Sequence, residues 1–479
     1  MDPKHAAFIS GQFAQYAANL RYDDLPEDVR KLAHLVLLDT LGCAMTGAGT
    51  EEVAQIRRAM TQANGGGGGG GAGGDAMFWG THDKAPLPLA ALANGAAVHA
   101  REIDDFGGCA HSGSVVIPAA LGMAARMGAS GRELLTAIVI GYDIARRAMD
   151  GGGGYQAMKD RGWHSTSTCG GFGAAAAAGR LLGLNAQRLQ WALGYAGSNA
   201  GGTWAYIPEG AMSKRVHPGF AAHTGIVAAY LAANDVTGPA SIFEAPWGGY
   251  YPTYMPGVAT PAEATRDLGS DFRIRLVGFK PYAACRGIHS SVDVALGMRR
   301  THKVRAADVK QVTVRGSPTH MKQLAKQDVQ TMLDAQMSLP YSIAVSLVSG
   351  GAMLDQYTPD ALKRPEVRDL ARRVHLKLEP SVANGDEPYL DVELNDGRVL
   401  TDRVLIARGD SENPLSEDEL RAKFRTAAAA TLDPARIARL EETVMHAAEL
   451  ADSRELAALL APGAAVNQPR RPAQVVQVV

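Results

Sequence analysis

The chain has 479 residues, more than one hydrophobic core usually organises, so two domains are expected. Its 48 Lys and Arg nearly balance 49 Asp and Glu, a formal net charge of -1 that excludes the basic surplus of a nucleic-acid binder. Hydrophobic residues make up 46% and charged residues 20%, enough apolar content for a large core and too little charge for extended disorder.

Apolar residues recur at helical spacing from Asp28 to Met45, with Pro26 where a first helical turn tolerates it. The glycine run from Gly65 to Gly74 lacks both a following Gly-Lys-Ser/Thr and a preceding β-branched strand, so it predicts a flexible surface loop, not a phosphate cradle. Helical patterns follow at Pro88 to Ala100, Val115 to Met127 and Arg132 to Met149. Residues 172 to 234 are saturated with Ala and Gly, which predicts helices whose backbones approach closely. With no β-rich stretch in the first 265 residues, the N-terminal half reads as all-α.

Polar and apolar residues then alternate over Asp271 to Leu276 and Val309 to Arg315, which predicts strands. Further strands are expected at Val374 to Leu378, Tyr389 to Leu394 and Arg398 to Ile406. The last two flank Asn395-Asp396-Gly397, a hairpin signal because glycine accepts positive φ. Helical patterns intervene near His289 to Arg299 and Tyr341 to Val348. Ser416 and Glu419 make a capping box, opening an amphipathic helix expected to continue to about Leu460. The fold class is therefore mainly α. A large all-helical domain, 1–266 completed by 410–460, carries an inserted α+β domain, 267–409, and the tail 461–479 reads as disordered.

Cysteines at 43, 109, 169 and 285 form no CxxC and no close pair, so a disulfide scaffold or zinc ribbon is not expected. MDPKHAAFIS has no long apolar run, and the strongest apolar stretch, near Leu134 to Tyr142, is far short of the ~20 residues of a membrane helix. A cytoplasmic protein with no membrane or nucleic-acid partner is expected.

Several polar clusters are candidates for chemistry. Glu102, Asp104, Asp105 and His111 crowd a loop after a helix carrying His99. A metal site, simple turn capping and a catalytic polar loop are all open, since no HExxH-type spacing fixes a geometry. GWHSTSTCGG places His164 and hydroxyls ahead of an Ala-rich helix, suited either to a carboxylate or to plain capping. Lys214, in Ser-Lys-Arg-Val-His-Pro, opens an apolar helix as an anion site or an exposed lysine. Lys280, Cys285, Arg286 and His289 fall within eleven residues, a binding segment or a solvated basic turn, and Tyr341 starts another apolar helix. This inventory of histidines and lysines suits proton transfer on a small anionic substrate.

Four blocks, NGAAVHAREIDDF…HSGSVVIPAALGMA, GWHSTSTCGGFGAAAAAGRLLGL, SKRVHPGFAAHTGIVAAYLAANDVTGPASIFEAPWGG and FKPYAACRGIHSSVDVAL, resemble the MmgE/PrpD family over about residues 10 to 455. That family includes 2-methylcitrate dehydratase, cis-aconitate decarboxylase and iminodisuccinate epimerase. The resemblance implies an inserted α+β lid over a cleft in the helical domain, a homodimer, and no metal or other cofactor. Lys214 matches the family's active-site lysine, His164 the histidine of its G-[FW]-H motif, and Asp105 with His111 its acidic-loop pair. Glu102 stands where Asp is usual, while Lys280 and Tyr341 match residues of the smaller domain. Cys285 stands where decarboxylase-type members have His, with Arg286 and His289 following, which argues against decarboxylation.

The resemblance implies a cofactor-independent hydro-lyase for a small di- or tricarboxylate, similar to methylcitrate dehydratase. In it His164 and Lys214 move protons and stabilise charge, and His111 or Tyr341 serves as acid. Lys280 and Arg286 would clamp carboxylates, and Asp105 or Glu102 would orient the imidazoles. Alternatives are an epimerase of an iminodisuccinate-like substrate, a cis-aconitate-type decarboxylase, and a catalytically silent binding protein.

Overall fold

A computed structural model describes residues 1–65 and 73–463. The expectations for the glycine run at 66–72 and for the tail from 464 lie outside the described residues. Helix accounts for 58% of the structure and strand for 7%, a mainly α protein. The described residues divide into two compact units, one formed by 1–65, 73–206, 212–277 and 416–463, the other by 207–211 and 278–415.

The first unit is built from helices Glu27–Ala48, Leu87–His99, Gly113–Met127, Gly131–Gly151, Gly170–Leu181, Ala186–Ser198 and Ser213–Ala233, among shorter ones. Small residues decide how these helices pack. A Cβ at Gly219 would lie 2.1 Å from the Leu92 carbonyl oxygen, and one at Gly173 would lie 2.3 Å from that of Gly141. Only glycine allows such approach, so the Ala- and Gly-rich segments form the interior. No single helix among the described residues is long and apolar enough to cross a membrane.

Three sequence expectations are corrected in this unit. A short antiparallel pair, Ala76–Met77 with Lys84–Ala85, interrupts the all-α half. Asp271 to Leu276 is not a strand. Residues Arg273–Leu276 form a 3₁₀ turn, because the Arg273 N–H donates to the buried carboxylate of Asp143 at 2.7 Å, not to a neighbouring strand. The C-terminal helix is also discontinuous. Glu417–Ala428 ends before Asp433, whose side chain caps a new helix, Pro434–Met445, and Arg454–Ala458 follows. Proline, which cannot donate a backbone hydrogen bond, sits at the first position of the second piece.

The second unit carries a four-stranded sheet in the order Val374–Leu378, Val309–Gly316, Tyr389–Leu394, Val399–Asp402. The first two are parallel, which requires the long helical crossover between them, and the other pairings are antiparallel. Gly397, at φ 89°, closes the expected hairpin, although its second strand stops at Asp402 and not Ile406. Val312, Val314, Leu390 and Val392 are fully buried, and the helices His289–Thr301 and Leu339–Ser349 pack against each other in the same unit.

Candidate active site

The helix Leu87–His99 ends in a loop that returns as the helix Gly113–Met127. Its anchor is Asp105, whose two carboxylate oxygens each accept from the Gly113 N–H at 3.1 Å and one of which also accepts from the Tyr142 hydroxyl at 2.9 Å. Burial, reinforced by Asp104, pushes the Asp105 carboxyl well above the usual range. A second anchor comes from the C-terminal segment. The Lys423 ammonium pairs with Asp39 at 2.6 Å and donates to the Ile103 carbonyl at 2.6 Å, tying the Glu417–Ala428 helix to the loop. Within the loop Glu102 adopts φ 56°, a left-handed conformation that costs a side-chain-bearing residue roughly 1–2 kcal/mol.

On this base three imidazoles gather. One ring nitrogen each from His99, His111 and His164 lies within 4.8 Å of the others. His99 Nδ1 donates to the Asp104 carboxylate at 2.8 Å, and His111 Nδ1 to the Asp105 carbonyl at 2.7 Å. His164 precedes the short helix Ser165–Thr168, and its Nδ1 faces His217 Nδ1 at 2.9 Å. The rings of Trp204 and Tyr206 meet the His164 ring edge-on, at 5.2 and 5.9 Å between centroids. His99 and His164 are buried, whereas His111 is partly open to solvent.

Burial holds His164 well below the ordinary histidine range, and the neighbouring histidines press in the same direction. His217 is pulled down to about 4 by burial and by Lys214. Both rings are therefore neutral near pH 7, the form that accepts a proton.

Lys214 occupies the first turn of the Ser213–Ala233 helix and forms an ion pair with Glu102. Their exposures, 2% and 1%, mean that neither charge could be held there without the other. Arg215 stands 4.0 Å from the same carboxylate and donates to the His99 carbonyl at 2.9 Å. Glu102 in turn lies 3.9 Å from His99 Nε2, which links the lysine to the imidazoles.

Of the residues singled out from the sequence, Glu102, Asp105, His111, His164 and Lys214 therefore share one locality in the helical unit. The carboxylate that orients an imidazole is that of Asp104; Asp105 supplies only its carbonyl, its side chain being the helix anchor. Sequence reading did not assign a role to Asp104, His99 or His217. His217 had a signal, falling one helical turn after Lys214 and so on the same face. Nothing in the sequence marked Trp204 or Tyr206.

Lys280, Cys285, Arg286, His289 and Tyr341 belong to the second unit. Lys280 is fully buried and Cys285 half-buried. Arg286 does not present an unengaged fork for a substrate carboxylate, because Glu387 and Asp410 accept from it at 2.7 and 3.0 Å. His289 Nε2 sits 3.1 Å from the Ala284 carbonyl. The Tyr341 hydroxyl donates to the Gln356 carbonyl at 2.6 Å, and burial raises its pKa, so this geometry does not equip it as an acid.

A mainly helical protein with a cluster of imidazoles, His164 and His217 among them held neutral, beside a buried Lys–Glu pair is the class that fold and site define together. The chain belongs to the MmgE/PrpD family: the family's N-terminal domain matches residues 11–260 and its C-terminal domain residues 282–447. It is 29% identical to the cis-aconitate decarboxylase-like protein oryM of Aspergillus oryzae, over 94% of this chain and 97% of that one. It is 28% identical to the cis-aconitate decarboxylase of Aspergillus terreus, over 94% and 96%. It is also 28% identical to human cis-aconitate decarboxylase, over 96% and 97%. The last two of these relatives are named for the activity that Cys285 was read as disfavouring.

Proposed function

We propose that this chain is a cofactor-independent lyase acting on a small di- or tricarboxylate through proton transfer at a carbon beside a carboxylate. The observation that carries the reading is the environment of His164. It is a buried neutral imidazole, next to a second neutral imidazole and joined through His99 and Glu102 to the Lys214 ammonium. Such a set supplies a base, a proton reservoir and a cation for the enolate-like charge that develops when a bond at that carbon breaks.

The relatives favour decarboxylation as the first form of this chemistry. The bond to the departing carboxylate breaks, its electron pair spreads toward a remaining carboxylate, and a proton is delivered to carbon. In this proposal the partly open His111 takes up a proton from solvent and passes it to His164, whose protonated ring delivers it to carbon and returns to the neutral form, while Lys214 stabilises the charge. Lys280 is assigned to binding a carboxylate by family resemblance. Dehydration is the second form. There the base removes the proton, and the hydroxide leaves with a proton from the acid. A homodimer in the cytoplasm belongs to the same proposal.

The experiment offers the purified protein cis-aconitate, 2-methylcitrate and citrate-, malate- and aspartate-like acids, and reads the products by mass spectrometry. Loss of carbon dioxide or of water from one acid, abolished by Lys214→Ala in a folded protein, is expected. Failure to transform any acid, or undiminished turnover in that variant, would overturn the reading.

A further inference from the structure

We propose that Trp204 is a positioning residue for His164, fixing the plane of its imidazole and keeping water from it. Backbone pairing between two segments far apart in sequence brings the indole there. The His164 N–H donates to the Gly202 carbonyl at 3.1 Å and the Trp204 N–H to the Gly162 carbonyl at 3.0 Å, around an antiparallel bridge of Trp163 with Thr203. The Trp204 Nε1–H then donates to the Trp163 carbonyl at 2.9 Å, which sets the direction of the indole. The segment 202–204 is thus a strap held at each residue from 162 to 164.

The indole stands at 74° to the imidazole with 5.2 Å between centroids, and the Tyr206 phenol at 72° with 5.9 Å. Edge-on contacts of this kind have a preferred geometry. Turning the imidazole about its Cβ–Cγ bond would displace both rings and part His164 Nδ1 from His217 Nδ1. Trp204 is partly exposed whereas His164 is 1% exposed, so the indole stands where solvent would otherwise reach the imidazole. His217 from the helix Ser213–Ala233, His99 from the helix Leu87–His99, His111 and Asp104 from the loop after it, and Tyr206 face the same imidazole. Lys159, from the helix Gly154–Asp160, lies 5.8 Å from the Trp204 ring centroid. Trp204 itself has no titratable group, so its replacement changes the exposure and aim of His164 without adding or removing a charge. Burial is the largest cause of the low proton affinity of His164, and a hydrated ring takes up its proton at higher pH. The effect on turnover rests on the reaction proposed above; the effect on the ring does not.

The test follows histidine ring resonances by NMR in full-length protein carrying isotope-labelled histidine, as pH is lowered without substrate. The resonance missing from His164→Asn identifies His164. At about pH 6 an ordinary histidine of pKa ~6.5 is mostly protonated, whereas wild-type His164 is expected to keep its neutral-form position. In Trp204→Ala it should move toward the protonated form at that pH, and Trp204→Phe, which keeps a ring, should restore most of the wild-type behaviour. On an acid that the wild type transforms, Trp204→Ala should lower kcat at the optimum pH ~10–100-fold and leave KM within about 3-fold. The limb of the pH profile set by His164 should move to higher pH. Wild-type His164 that titrates as an ordinary histidine overturns the proposal with no variant involved. So does a folded Trp204→Ala protein whose His164 titrates as in the wild type, or a Trp204→Phe protein indistinguishable from Trp204→Ala. A protein that shows the shift but transforms no acid leaves the positioning of His164 standing and sinks only the proposed reaction.

Discussion

Replacing Glu102 by glutamine removes one negative charge and almost nothing else, since the amide keeps the shape of the side chain. The carboxylate is 1% exposed, and three basic groups face it: Lys214 in contact, Arg215 at 4.0 Å and the His99 ring at 3.9 Å. Glutamine at this position inherits the backbone strain at φ 56° unchanged, so the difference isolates the charge. Breaking a buried pair from one side leaves an uncompensated ion, which costs about 3–5 kcal/mol, against ~1 kcal/mol or less for an exposed pair. All five tryptophans, at 79, 163, 191, 204 and 247, lie in the helical unit, so urea unfolding followed by tryptophan fluorescence reports that unit alone. Glu102→Gln is expected to lose about 3–5 kcal/mol, and the double variant Glu102→Gln with Lys214→Met to recover more than half of it. A loss below ~1 kcal/mol, or a double variant no better than the single, would refute the buried-pair account.

Stability of the helical unit should fall as pH drops from 6.5 toward 4. His217 binds its proton near 4 in the fold but near 6.5 when unfolded, so its contribution is complete above 6.5 and lost on acidification, amounting to about 2 kcal/mol after allowance for its partial exposure. His217→Asn should flatten that slope in pH-dependent urea unfolding, and an unchanged slope would contradict the assignment. Gly219→Ala drives a Cβ to 2.1 Å from the Leu92 carbonyl oxygen and should cost about 1–3 kcal/mol in the same assay, where a neutral result would deny the close helix approach. The proposed homodimer predicts twice the 50.4 kDa chain mass by light scattering, and a single-chain mass would contradict it.

Local rules carried much of the fold. Gly397 closes the hairpin because only that position needs positive φ, and Ser416 with Glu419 caps its helix through contacts three residues apart. Asp271 to Leu276 misled because alternation records which side chains are buried, not where the backbone bonds. Phe272 and Ile274 are buried, yet the Arg273 N–H is taken by Asp143, 130 residues away. The site was legible in the same uneven way. His164, His111 and Lys214 stand out as basic groups at helix starts or on a Gly-containing loop, and they do meet. The engagement of Arg286 was invisible, since Glu387 and Asp410 lie 101 and 124 residues further on. The pairing of His164 with His217 also depends on tertiary packing, since the two lie 53 positions apart.

Turnover of cis-aconitate in deuterated water tests the central claim most directly, namely that the buried imidazoles and Lys214 deliver a proton to carbon. The account predicts a product that has lost carbon dioxide and carries one carbon-bound deuterium from solvent. It also predicts a rate lowered ~10²–10⁴-fold in His164→Asn, the range expected for loss of a general acid–base group. A product without solvent label, or a His164→Asn protein that matches the wild-type rate, would contradict it.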